Sequence, residues 1–202
     1  MISSMNSSSF DYLLIEKMIP HKASVLDLGC GDGSLLALLQ REKKIREQGI
    51  EIDKTQVYAC VEKGLNVFLG DLDSGLEDYT DATFDFVIMH HSVQELRNPG
   101  RVLNEAFRVG KKVIVSFPNF AHINNRFQIF FKGRTPQSKS LPYPWYDSPN
   151  LHFLSINDFQ DYCKARKIKI LQQYNLKQNK LIRVLPNLLA ESVIFLLEPE
   201  GA

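Results

Sequence analysis

The sequence predicts a doubly wound α/β fold built on one mostly parallel sheet, and three observations carry that expectation. Four runs rich in Val, Ile, Leu and Phe, at 24–28, 66–69, 84–89 and 112–117, lack the in–out alternation of half-exposed strands, as strands covered on both faces do. Helical spacings of apolar residues separate several of them, which is the strand–helix alternation of parallel sheets. A glycine-rich turn joins the first run to the first helical pattern.

In chain order, residues 1–10 hold five serines and no basic residue and are expected to be a frayed start. Val25, Leu26 and Leu28 write the first strand, and Leu35, Leu36, Leu38 and Leu39 the helix at 34–40. A strand before Glu51 is weakly written by Ile45, Gln48 and Ile50; the surrounding pattern requires it. A helix at 54–63, strands at 66–69 and 84–89, a helix at 101–108 with Val102, Leu103, Ala106 and Phe107, and a strand at 112–117 follow. Regularity breaks over 119–155. Nine of the 21 aromatics fall between Phe117 and Phe153, with Pro136, Pro142, Pro144 and Pro149. A loop of that length is a functional lid or is disordered, and aromatic richness argues against disorder, so a lid or docking insertion is expected. A helix at 156–166, capped by Ser155 or Asn157, and strands at 168–176 and 192–198 complete one domain over 1–202.

With 24 Lys+Arg against 23 Asp+Glu the formal charge is +1, so bulk electrostatics point to no polyanion and no nucleic acid. The 44% hydrophobic and 23% charged content excludes wholesale disorder. No apolar run approaches the ~18 residues of a membrane helix, and the serine-rich start lacks the parts of a secretory signal, so a cytoplasmic protein is expected. Cys30, Cys60 and Cys163 show no CxxC spacing, so reduced structural thiols and no metal site are expected.

The strongest local signal is Val25-Leu26-Asp27-Leu28-Gly29-Cys30-Gly31-Asp32-Gly33. Glycines free the backbone there and leave no Cβ against a ligand, while the following helix offers unpaired N–H groups. A dinucleotide fingerprint places its third glycine one residue later, where Ser34 stands, and Asp27 and Asp32 would repel a pyrophosphate. The turn suits a ligand bearing an ammonium or sulfonium charge. Glu51, about twenty residues on, is placed to accept from both hydroxyls of a ribose, with Asp53 the alternative holder. Asp71 in Gly70-Asp71-Leu72 is placed to accept from an exocyclic amine such as that of adenine. Three acids at three successive strand ends line the sheet edge where open α/β folds bind ligands.

The LDLGCGDG, GIEID, GDLD and FDFVIM segments resemble the nucleotide-site segments of class I S-adenosylmethionine-dependent methyltransferases over roughly residues 20–116. SVQELRNP, VSFPNF and above all LPYPWYDSPNLH at 141–152 are similar to the methionine biosynthesis protein MetW family, over almost the whole chain. The resemblance implies a seven-stranded Rossmann-like sheet with an antiparallel last strand. It also implies S-adenosyl-L-methionine as cofactor, with Asp27, Gly29, Cys30, Gly31, Gly33, Glu51, Ile52, Asp71 and Leu72 as its binding residues. A role in methionine synthesis beside the homoserine O-acyltransferase MetX is implied as well. It names no methyl acceptor, and at 90 and 91 the family more often carries Ser and Gln. Two other readings are a free-standing methyltransferase acting on a small carboxylate or hydroxyl compound and a non-catalytic, cofactor-sensing partner subunit.

His90 and His91, just past the fourth strand, are the candidates for a catalytic base, since an imidazole there can take a proton from a hydroxyl or amine. Their alternative is ordinary packing. Six acids and no base lie from Asp71 to Asp85, and seven bases and no acid from Ala106 to Tyr146. The basic stretch suits an anionic substrate or acidic partner, or is a solvated face. Among the aromatics, Phe127, Phe130 and Phe131 are expected inside, with Tyr143, Trp145 and Tyr146 near the pocket or an interface.

Overall fold

The computed structural model describes residues 7–138 and 140–199. Expectations for residues 1–6 and for Lys139 lie outside them. The sheet contains β1 (Ser24–Leu28), β2 (Arg46–Glu51), β3 (Val67–Leu69), β4 (Phe84–His90), β5 (Gly110–Pro118), β6 (Ile168–Lys177), β7 (Lys180–Leu181) and β8 (Ser192–Pro199), in the spatial order β3-β2-β1-β4-β5-β8-β6-β7. β1 to β5 are mutually parallel, and β8 runs antiparallel to both its neighbours. Seven of these strands are the seven expected, and two-residue β7 adds a hairpin at the β6 edge.

Pleating explains why the strands read as continuous apolar runs. Leu26, Leu28, Val87, Met89, Val113, Val115 and Phe117 enter one core, while the intervening Val25, Phe86, Ile88 and Ile114 enter a second on the opposite face. The first core is closed by α4 (Pro99–Val109) and α6 (Ile156–Ala165). The second is closed by α1 (Ser7–Met18), α2 (Ser34–Lys43) and α3 (Lys54–Glu62). The strand order reverses between β1 and β4, and the crevice beyond those two strand ends is where open α/β sheets take ligands.

Three results differ from the expectations. The serine-rich start leads into α1, whose Leu14, Ile15 and Met18 are buried against the sheet and whose Glu16 pairs with Lys43 of α2 at 2.9 Å. The 119–155 segment is not irregular throughout: it contains α5 (Ile123–Lys132), followed by a long irregular run over 133–155. Phe127, Phe130 and Phe131 of α5 are not inside: they are 52%, 82% and 69% exposed, because no described element packs over that face. In α6, Ser155 is the cap, in a reciprocal capping box with Asp158. The last helix, α7 (Pro186–Leu189), is a single turn before β8.

The uneven charge pattern is partly internal. Arg108 pairs with Asp81 and Lys111 with Asp85, so two bases of one stretch neutralise two acids of the other.

Candidate functional site

A cleft of about 240 Å³ opens at the carboxyl ends of β1, β2, β3 and β4. Of the residues singled out from sequence, Gly29, Glu51, Ile52, Asp71, Leu72 and His91 line it. The glycine turn has Gly29, Gly31 and Gly33 at φ of 80°, 54° and 73°, where side chains with a Cβ are strained. Gly33 has a second reason: a Cβ there would stand 2.5 Å from Leu65 and 2.8 Å from the Cys60 sulfur. At Gly31 nothing lies within 4 Å of that position, so this peptide is open to close approach by a ligand.

Cys30 turns away. Its buried thiol packs behind the turn against Gly49, and burial pushes its pKa far up, so it offers a ligand its backbone and not its sulfur. Asp32 is balanced: Lys63 reaches its carboxylate at 2.7 Å, and Ser34 donates to it through both N–H and hydroxyl. The repulsion of phosphate expected from two acids at the turn therefore rests on Asp27.

Asp27 is 2% exposed and its Oδ1 has no hydrogen-bond partner. Burial, then the neighbouring Glu51, pushes its pKa up to about 7. A buried carboxylate atom without a donor is costly unless something cationic or donating meets it. Both Glu51 carboxylate oxygens accept backbone N–H groups. Its Oε2 accepts from Gly31 N–H at 2.8 Å, and its Oε1 accepts from the N–H groups of Ile52 and Asp53 at 2.9 Å each. Asp53 caps α3 through Thr55 N–H, so it is spent on the helix. Asp71 caps the 3₁₀ turn Leu72–Ser74 by accepting from Asp73 N–H. Asp73 in turn accepts from the N–H groups of Arg97 and Asn98 at 2.9 and 2.8 Å, tying the cleft's two walls together.

The two histidines part company. His91 lines the cleft in a left-handed conformation, φ 56°, with its N–H donating to the Ser116 carbonyl at 3.0 Å. His90 Nδ1 is 2.6 Å from Ser116 Oγ, and its ring lies edge-on to Tyr12 and to His91. Burial, then His91, holds the His90 pKa well below the ordinary imidazole value, so it stays neutral. Sequence reasoning gave no role to Asp11, whose buried carboxylate α1 brings to 3.6 Å from His91 Nε2, because it directly follows a start, residues 1–10, that reads as frayed. It also missed Glu95 and Arg97 on the cleft wall, since the 3₁₀ turn Val93–Glu95 leaves no periodic signal. Burial, then Glu51, raises the Glu95 pKa.

The 141–152 segment meets this wall. Leu151 and His152 N–H groups donate to the Gln94 carbonyl at 2.9 and 3.0 Å, and the Gln94 side chain donates to the His91 carbonyl at 2.5 Å. Tyr143, Trp145 and Tyr146 are 49%, 75% and 74% exposed.

A cofactor with a nucleoside and an amino-acid moiety fits the residues present. Asp27 suits an ammonium, Ile52, 65% exposed, offers an apolar shelf beside Glu51, and the acids Glu51, Asp71, Asp73 and Glu95 disfavour a phosphate chain.

Comparison with known proteins identifies the family and the fold. The family model described as "Methionine biosynthesis protein MetW" matches residues 9–197. A bifunctional methionine biosynthesis protein MetXA/MetW from Rhodopirellula baltica is 32% identical over 200 residues, which is 93% of this chain and 32% of that protein. The chain thus spans about a third of that relative's length. Among solved structures, the PH0226 protein of Pyrococcus horikoshii superposes with a TM-score of 0.70 at 18% identity, covering 96% of this chain and 90% of that one. A SAM-dependent methyltransferase from Thermotoga maritima gives a TM-score of 0.64 at 19% identity, with coverage of 96% and 91%. Both likenesses are of fold.

Proposed function

The chain belongs to the MetW family of methionine biosynthesis proteins, and from that premise we propose that it binds S-adenosyl-L-methionine at the ends of β1, β2 and β3 and acts in methionine biosynthesis beside a MetX-type homoserine O-acyltransferase. The observation that carries the ligand is Asp27: a buried carboxylate oxygen without a partner, beneath a glycine turn open at Gly31, is a place made for an ammonium group. Gly29, Glu51, Ile52, Asp71 and Leu72, which line the cleft, would hold the cofactor together with Asp27 and Gly31 of the adjoining turn, which do not line it, while Gly33 packs that turn against Leu65 and Cys60. Bound there it would supply a methyl group on a sulfonium centre.

Glu51 does two things: it fixes the turn, and it keeps acceptor capacity on Oε2 for a hydroxyl donor. Asp71 holds Leu72 and Asp73 in place through its turn cap. Association with the acyltransferase is supported by the joining of MetXA and MetW in the Rhodopirellula baltica relative. The exposed aromatics of α5 and of 141–152 are the surface we assign to it.

Methyl transfer to a small carboxylate or hydroxyl compound is a second reading, favoured by His91 lining the cleft with Asp11 behind it. His90, held by Ser116, positions its neighbour.

Two measurements test the proposal. Calorimetry is expected to give binding for S-adenosylmethionine and S-adenosylhomocysteine and none for NAD or ATP; tight NAD binding without heat for S-adenosylmethionine overturns it. Affinity purification from lysate is expected to retain a MetX-type acyltransferase, and its absence removes the partner.

A further inference from the structure

Asp11, His90 and His91 come from distant parts of the sequence and meet at the cleft rim. One ligand-capable atom of each lies within 4.8 Å of those of the other two. The Asp11 carboxylate is buried, at 6% exposure, and the described residues place only His91 at salt-bridge distance from it, 3.6 Å. The two imidazole rings stand 4.5 Å apart, centroid to centroid. Ser116, fully buried, fixes the His90 ring through Nδ1 and leaves its other nitrogen uncommitted, the arrangement in which a second partner orients a metal-binding histidine. His91 adopts a left-handed conformation without being glycine, a cost retained where neighbours demand it.

We propose that Asp11, His90 and His91 bind one divalent transition-metal ion, of the zinc, cobalt or manganese kind, at the edge of the cleft. Two imidazoles and one carboxylate, gathered from α1 and the end of β4, are a ligand set for such ions. Metal–ligand lengths of ~2.0–2.2 Å bring ligands to within roughly 3–3.5 Å of one another, so the cluster closes by about an ångström on loading. That adjustment is within reach of side-chain rotation. Three protein ligands leave further coordination positions open, and because His91 lines the cleft those positions face it. An oxygen-bearing acceptor, a hydroxyl or carboxylate compound, is the chemistry such an ion would bind and polarise. The ion would also fasten α1 to the end of β4, elements otherwise joined there by ring packing. The site stands independently of what nucleoside occupies the cleft.

The test uses untagged, chelator-treated full chain titrated with zinc by calorimetry and with cobalt by visible absorption. One equivalent per chain is expected, with a rise in melting temperature. Asp11→Asn, His90→Asn and His91→Asn are each expected to weaken binding tenfold or more, while His21→Asn, at an exposed histidine outside the cluster, leaves it unchanged. Asparagine tolerates a left-handed backbone, so the variant at 91 keeps the fold, and circular dichroism verifies it. No stoichiometric binding, or affinity indifferent to His91→Asn in a folded chain, overturns the proposal and leaves Asp11 and His91 as a metal-free pair. S-adenosylmethionine binding measured on the same samples separates this outcome from failure of the cofactor reading.

Discussion

The Glu51 carboxylate accepts the Gly31 amide proton at 2.8 Å, so the acid placed to hold a ligand also holds the turn that faces it. Glu51→Ala removes ligand acceptors and strands the N–H groups of Gly31, Ile52 and Asp53 together. We expect S-adenosylmethionine affinity to fall by about 1.5–3 kcal/mol, roughly 10- to 150-fold, with a lower melting temperature. Calorimetry beside thermal melts reads both; an unchanged Kd in the folded variant means Glu51 has no part in binding.

Asp27, with its pKa pushed up to about 7, is half protonated at neutral pH. A cationic ligand selects the carboxylate, so binding should release a proton and tighten as pH rises through 7, approaching tenfold per pH unit on the acid side. Titrations in two buffers of different ionisation heat measure the release. Asp27→Asn should abolish it, and a pH-independent Kd in the unmodified chain would remove Asp27 from the site.

Trp145→Ala and Phe130→Ala each truncate an exposed aromatic away from the nucleoside cleft. Loss of acyltransferase co-purification, by an expected ~2 kcal/mol or about 30-fold, with S-adenosylmethionine affinity intact, is the predicted result. Retention of the complex with altered ligand affinity would make 141–152 a lid, a role its attachment to Gln94 also permits.

Asp85 accepts from the Ser24 N–H and hydroxyl and from Lys111, at 2.9 Å each. The Ser24 N–H bond first, then Lys111, lowers its pKa to about 2. A carboxylate depressed below its unfolded value of ~3.9 stabilises the fold above that value and loses the contribution as pH falls toward 2. Because the side chain is about one-third exposed, the effect is about 1 kcal/mol or less. Asp85→Asn should lower the melting temperature by about 2–4 °C at pH 7, and its melting curve should converge with that of the unmodified chain near pH 2. A constant gap across that range would assign the loss to packing.

Much of the sheet was legible because strands buried on both faces write themselves as apolar runs, and the glycine turn because three left-handed residues leave few choices at 29, 31 and 33. α1 was not, since its apolar stripe of Leu14, Ile15 and Met18 follows a serine cluster that reads as unstructured. The α5 phenylalanines were read inward because hydrophobicity says that a side chain seeks cover without saying whose. For the site, the acids at strand ends were visible as types and positions. Their division of labour was not, because Asp53 and Asp71 serve caps, and Asp11 reaches His91 only through the docking of α1.

β8 is last in sequence and interior in space, with Val113 pairing Leu197 on one side and Ile170 pairing it on the other. A nascent chain on the ribosome can therefore assemble β1 to β5 and still present the bare, apolar flank of β5 until residue 199 has been made. Closure of the sheet is a late, long-range event, slow by the standards of local contacts. Synthesis that stalls short of β8 leaves an adhesive edge for chaperones or other chains to find.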